Sequence, residues 1–235
     1  MLLRSFHWAA GHARRLYTAF GAFVVVSLVL SVVGIWIFAE LTEEVVDGGA
    51  HQVDQAILLW INQHASSRLD RLSLQITAVG NGGAVVVLTL VASAFLWVAR
   101  QRLAILLLVS GVFGADIVNR VLKTTFDRPR PELFVLETPF SRPLSASFPS
   151  GHATGAVALY LVLAYLLGRL GGKGWFRILA NGMAAVLVLA IGASRMYLGV
   201  HYPSDVLAGW LIGFVWVTLC ILGFQALSRT PLSGP

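Results

Sequence analysis

An all-helical protein that crosses a bilayer about six times is what this sequence predicts, and three observations predict it. Hydrophobic residues make up 57% of the 235 and charged residues only 12%, against about 25% charged in an ordinary soluble domain. Six apolar stretches approach the roughly 20 residues a helix needs to span a hydrocarbon core. Three short polar clusters each fall at the end of such a stretch, where a spanning helix meets the membrane surface.

The first stretch, about 16–39, follows Arg4, Arg14 and Arg15. It is too long for the core of a signal peptide, and Ile35-Trp36-Ile37-Phe38 lacks the small residues of a cleavage site, so a retained transmembrane helix is expected. Residues 51–72 mix Val53, Ile57, Leu58, Ile61 and Leu69 with Trp60, Gln55, Asn62, Gln63 and Arg68. That pattern suits a helix lying in the membrane interface or, equally, a solvated loop helix. Stretches 80–99 and 103–122 are separated only by Arg100-Gln101-Arg102, a tight helical hairpin. Stretches 151–168 and 176–194 flank Arg169, Gly171-Gly172-Lys173-Gly174 and Arg177, and 203–226 is the last before a frayed tail from Ser228. Internal repeats and low-complexity segments are not apparent, so residues 1–235 are expected to form a single membrane domain.

The net charge is +6, but no basic run or basic amphipathic stripe accompanies it, which argues against nucleic acid as a partner. Cys220 is the single cysteine, so no internal disulfide forms, and a buried membrane thiol is expected. Lysines and arginines divide almost evenly between the two sides of a six-span topology. The positive-inside bias emerges when Arg120, Lys123, Arg128, Arg130, Arg142 and Arg195, which cluster with the polar motifs, are assigned to function. Both termini are then expected in the cytoplasm and the clusters at the outer face of a plasma membrane.

The first cluster runs from Lys123 to Arg130-Pro131. Pro129 and Pro131 disfavour helical geometry at Arg128 and Arg130, freeing both side chains to turn toward a common point. A guanidinium grips two phosphate oxygens with its fork, whereas an ammonium acts as a point charge. Basic residues flanking a helix also meet lipid headgroups, and alone this cluster says no more. The second cluster, Pro149-Ser150-Gly151-His152, opens a helix. Ser150 is a good N-cap, Gly151 permits close approach to the backbone, and the free amides of a helix start attract anions. It could equally be a capped helix start.

In the third cluster, Ser194-Arg195 is followed by His201 and Asp205. Four residues of helical spacing bring a carboxylate within reach of an imidazole, although Pro203 leaves contact from the loop side equally open. A carboxylate on one ring nitrogen fixes the tautomer and raises the nucleophilicity of the other. A structural His–Asp pair would leave Arg195 and the second histidine unexplained. Ionisable groups at membrane depth are functional candidates, and most of those here belong to the three clusters. Asp116, Asn119, Arg120 and Lys123 share roughly one helix face, so Asp116 pairs with Arg120 or with a site arginine. His7, His12, His51 and His64 read as surface histidines.

These residues resemble the type 2 phosphatidic acid phosphatase superfamily, which includes vanadium haloperoxidases and glucose-6-phosphatases. Its pattern of Lys-x6-Arg-Pro, Pro-Ser-Gly-His and Ser-Arg-x5-His-x3-Asp is matched at Lys123, Arg130, Pro131, Pro149, Ser150, Gly151, His152, Ser194, Arg195, His201 and Asp205. The resemblance implies a helical phosphatase core, about 80–226, behind an N-terminal transmembrane helix and interfacial segment, about 16–79. It implies His201 as nucleophile, Asp205 as its orienting partner and His152 as the acid. Lys123, Arg130, Ser150, Gly151 and Arg195 would hold the phosphate, without metal or other cofactor. In agreement, the sequence has no HExxH motif and no Gly-x4-Gly-Lys loop. Arg128 and Arg142 are additional to the pattern.

Six spans favour a lipid substrate from the same bilayer: phosphatidic acid, phosphatidylglycerol phosphate, diacylglycerol pyrophosphate or undecaprenyl pyrophosphate. A phosphotransferase using the same histidine, and a non-catalytic lipid-binding or scramblase-like protein, are the alternatives.

Overall fold

The structure, a computed structural model, describes residues 2–134, 145–171 and 174–228, with side chains described from Gly21 onward. Arg142, Lys173, Arg229 and the tail after Ser228 lie outside the described residues, as do the side chains of Arg4, His7, His12, Arg14 and Arg15. Among the described residues all regular structure is helical. The elements are α1 (Leu2–Val46), α2 (Ala50–Gln63), α3 (Ser67–Ala78), α4 (Gly82–Val98), α5 (Arg102–Phe126), α6 (Gly151–Leu170), α7 (Gly174–Tyr197) and α8 (Pro203–Leu227).

Among the described residues, five helical segments are long and apolar enough to span a bilayer: Gly21–Val46 within α1, and α5, α6, α7 and α8. The expected second span differs from its sequence reading. Helix α4 has 17 residues, about 25 Å at 1.5 Å per residue, which is short of a hydrocarbon core of about 30 Å. Together with α3 it makes a pair bent by 47°, long and apolar enough for one broken span or a re-entrant loop. The break has a local cause. Asn81 Oδ1 accepts from the Ala84 amide at 2.8 Å, starting α4 afresh, while Gly80 lies so close to Ile191 that a Cβ there would meet its side chain at 2.5 Å.

Helix α6 is the hub, packed against α5, α7 and α8, while α1 lies on α8 and α3 on α7. Leu108, Ala158, Leu159, Val162 and Val217 are fully or almost fully buried in its main contact cluster. The outward faces invert the pattern of a soluble protein: Val32, Trp36, Leu90, Phe95, Ile178 and Val186 are all exposed. Apolar side chains facing outward around a helical bundle belong in lipid, where every backbone polar group must be satisfied within its own helix. The chain is an integral membrane protein.

Residues 51–72 form two helices rather than one. On α2, Asp54 and Leu58 are buried on one side while Val53, Ile57 and Trp60 are exposed on the other. The α4–α5 hairpin is as short as expected, turning through Arg100 at φ 58°.

Candidate active site

The three polar clusters come together at one end of the bundle, and the backbone explains how. Helix α5 stops at Asp127, in the left-handed region, and the chain leaves it without regular structure through Arg128-Pro129-Arg130. Two residues past the end of α7, Gly199 stands at φ 66°. There the Val200 amide bonds back to the Arg195 carbonyl at 3.2 Å, which turns His201 inward. Helix α8 begins at Pro203, and the Tyr202 amide donates to Asp205 Oδ2 at 2.8 Å. The Ser150 amide donates to the Asp205 carbonyl at 2.9 Å, joining the start of α6, and with it His152, to the start of α8.

His201 is 2% exposed and Asp205 is fully buried. Their side chains meet at 3.3 Å, Nδ1 to Oδ2, so the four-residue spacing is realised across Pro203. The Ser147 hydroxyl donates to Asp205 Oδ2 and lies 3.4 Å from His201 Nδ1. Burial holds the His201 pKa down, to about 3, against a smaller upward pull from Asp205; Arg130 and Arg195 push it further down. A neutral ring between a carboxylate that only accepts and a guanidinium that only donates carries its proton on Nδ1. Its Nε2 lone pair therefore faces Arg130 Nη1, 3.2 Å away.

Arg130 reaches that position because its Nη1 also donates to the Val200 carbonyl at 2.8 Å and its Nε to the Ser145 carbonyl at 3.0 Å. Burial lowers its pKa. Lys123 Nζ donates to the Ala146 and Ser147 carbonyls, tying α5 to the segment that leads into α6. Arg195 is 7% exposed; its Nη1 donates to Thr77 Oγ1 of α3 at 2.8 Å. Its Nε is buried with no partner among the described residues, and so is Ser150 Oγ. Arg195, His201, Arg130 and Lys123 all lie within Coulombic reach of His152.

Ser150 departs from its sequence reading. It occupies the N-cap position of α6, but its side chain makes no capping bond. Its amide is already committed to α8, and its hydroxyl stays available at the centre of the cluster. Gly151 behaves as expected: Asn119 Oδ1 would lie 3.3 Å from a Cβ there. Asn119 Nδ2 donates to the Pro149 carbonyl at 3.3 Å and to Thr154 Oγ1 at 3.1 Å, holding the start of α6 against α5.

Arg128 does not share a point with Arg130. It approaches the His–Asp pair from the opposite end, where Nη1 donates to Asp205 Oδ1 at 2.7 Å and to Ser204 Oγ at 2.7 Å. Its Nη2 donates to Asp54 Oδ2 at 2.8 Å, and its guanidinium stacks over the Tyr202 ring, 4.2 Å from the centroid. The two prolines splay the arginines to either side of the dyad instead of aiming them together. Asp116 pairs with Arg120 at 2.7 Å, both well exposed, and not with a site arginine. His51 and His64 are exposed as expected, and Cys220 is half-buried.

Sequence reasoning missed Asp54, Thr77, Asn119, Ser147 and Ser204 as members of this network. Asp54 carried a signal: it lies four residues before Leu58, on the face of α2 that is buried, where a carboxylate needs a cationic partner. Beside the cluster a cleft of about 770 Å³ opens between α4, α5 and α6. Val86, Val87 and Phe113 form part of its apolar wall, and Lys123, Gly151 and His152 its polar end.

Fold and site together define a class: a membrane-embedded helical bundle with a buried His–Asp pair beneath a ring of cations. The model of the PAP2 superfamily matches residues 103–229, and the chain belongs to that superfamily. It is 38% identical over 116 residues to phosphatidylglycerophosphatase B of Bacillus subtilis, covering 48% of this chain and 55% of that protein. It is 37% identical over 138 residues to an undecaprenyl-diphosphatase of Sulfolobus acidocaldarius, covering 56% and 59%. The matched stretches thus span less than two thirds of these curated relatives. In three dimensions it resembles the crystal structure of the transmembrane PAP2-type phosphatidylglycerolphosphate phosphatase of Bacillus subtilis. The TM-score is 0.79 at 27% identity, over 85% of this chain and 98% of that one. Family and fold thus agree with the resemblance read from the motifs.

Proposed function

We propose that this protein is a lipid phosphatase that hydrolyses a phosphomonoester or pyrophosphate through a phosphohistidine on His201. The observation that carries the proposal is the geometry at His201: a buried imidazole with Nδ1 3.3 Å from Asp205 Oδ2 and Nε2 3.2 Å from Arg130 Nη1. The Nε2 lone pair attacks phosphorus and the bond to the lipid oxygen breaks. His152 gives that oxygen its proton. A water deprotonated by His152 then attacks the phosphohistidine, and inorganic phosphate leaves as the ring recovers its lone pair. Lys123, Arg130 and Arg195, with the Ser150 hydroxyl and the Gly151 amide, neutralise the phosphoryl oxygens. Such preorganised charge is the main source of catalysis in phosphoryl transfer. The unpartnered Arg195 Nε and Ser150 Oγ support this role, since buried donors without acceptors are costly.

The apolar cleft ending at His152 favours a substrate whose chains remain in the bilayer while its phosphate reaches the cations. The same reading treats residues 1–235 as one membrane domain, with a core of about 80–226 and an N-terminal part of about 16–79. Helix α2 would lie in the interface, in keeping with its exposed Val53, Ile57 and Trp60. Both termini would be cytoplasmic and the site extracytoplasmic.

The test is phosphate release by the purified protein in detergent, with chelator and without an added acceptor. Its substrates are phosphatidic acid, phosphatidylglycerol phosphate and undecaprenyl pyrophosphate. Turnover of at least one is expected. Turnover only with a second lipid acceptor would make it a phosphotransferase, and strict metal dependence would overturn the scheme.

A further inference from the structure

We infer that Asp54 is a positioning residue for the His201–Asp205 pair, acting through Arg128. The inference rests on the proposed phosphohistidine reading and extends it into a part of the chain that the family match, residues 103–229, does not reach.

Asp54 is 3% exposed and spends its acceptors on two routes to the same residue. Along the backbone, its Oδ1 accepts from the Ser204 amide at 3.0 Å and its Oδ2 from the Ser204 hydroxyl at 2.5 Å. Asp54 therefore caps the first turn of α8 from another helix, meeting one of the amides that a helix start leaves unpaired. Asp205 is the next residue. Along the side chains, Asp54 Oδ2 accepts from Arg128 Nη2 at 2.8 Å, while Nη1 of the same guanidinium holds Asp205 Oδ1 at 2.7 Å. Backbone and carboxylate of Asp205 are thus both referred to Asp54.

A buried ion pair is an inefficient way to dock one helix on another, since well-packed apolar groups do so without desolvating charge. What the charged contact adds is control of Asp205. Arg128 bridges two carboxylates, so its positive charge is shared between them. Asp205 keeps enough negative charge to polarise the His201 Nδ1–H, leaving Nε2 electron-rich. With Asp54 neutral, Arg128 would spend its whole charge on Asp205, weakening that polarisation. The first turn of α8 would also lose its cap.

The full-length protein in detergent, with phosphatidic acid as probe, tests this. Asp54→Asn should lower kcat by about 10- to 100-fold, the cost of misplacing a catalytic group by an ångström or less, with KM nearly unchanged. Because Asp54 acts through Arg128, D54N/R128Q should be no worse than R128Q alone, a non-additivity expected only of coupled residues. Arg128→Lys serves if D54N does not fold, since a point charge cannot fork between two carboxylates; it should lower kcat comparably. A readout independent of turnover is ¹⁵N-histidine NMR, in which D54N or R128K should move the His201 Nδ1–H resonance. Unchanged kcat in a folded variant, additive losses, or an unmoved His201 signal with only a lower melting temperature would overturn the inference. Wild-type protein inactive on every lipid would instead overturn the phosphatase reading, and the NMR comparison would still decide whether Asp54 governs His201.

Discussion

From α5 onward the chain carries the proposed nucleophile, acid and phosphate donors, while α2 and α3 carry none of them and yet hold two of the key side chains in place. Thr77 of α3 accepts from Arg195, and Asp54 of α2 holds Arg128 and the start of α8. The two regions differ in what they supply. The core brings groups that would meet the phosphate, and the N-terminal helices bring the acceptors that aim those groups. Chemistry of this kind demands little of the second region beyond a well-placed acceptor, and the family pattern accordingly covers only the first.

That contrast can be broken by experiment, beginning in the core. His201→Ala should reduce turnover by about 10⁴-fold or more, as loss of a nucleophile does, with the protein still folded by circular dichroism; near-normal turnover would refute the nucleophile. His152→Ala should cost about 10²- to 10⁴-fold, the range for general acid catalysis. The loss should shrink for phosphate esters with good leaving groups, and an equal loss across leaving groups would remove its acid role.

Acid provides the next test. The native His201 pKa is depressed to about 3, so the unfolded chain binds this proton first. Its contribution to stability is complete above pH 6.5 and is lost progressively as pH falls toward 3. At pH 4.5 the loss should be on the order of 3 kcal/mol, seen as a lower melting temperature for wild type than for His201→Asn when both are referenced to pH 7. The smallest effect belongs to the N-terminal region. Thr77→Val removes the acceptor for Arg195 and should raise KM about tenfold, near 1.5 kcal/mol, leaving kcat little changed. A kcat loss as large as that of His152→Ala would erase the distinction between the two regions.

Much of the cluster's spatial arrangement was legible in the sequence. His201 and Asp205 were pairable because their four-residue separation acts locally, and Arg195 and His152 because each stands in the turn of a spanning helix. The bent α3–α4 pair was less legible. Residues 80–99 are apolar on average, yet Asn81 caps a new helix start there, and the adjacent Gly80 packs closely against Ile191. Ser150 had the sequence of an N-cap and the position of one, but its hydroxyl makes no capping bond. Arg128 and Arg130 were indistinguishable as two arginines before prolines, although one grips the carboxylate and the other faces the imidazole.

By itself the sequence determined that the chain is a helical membrane protein of the PAP2 superfamily, because apolar length and motif spacing are local properties that any packing must respect. Only the tertiary structure decided which groups stand behind His201. Asp54 and Ser204 are 150 residues apart, and Thr77 and Arg195 are 118 apart. The spacing of Asp54 from Leu58 marks a shared helix face, but nothing in the sequence says which distant charge that face meets. The role of such a residue appears when helix packing buries it beside a charge that must be satisfied.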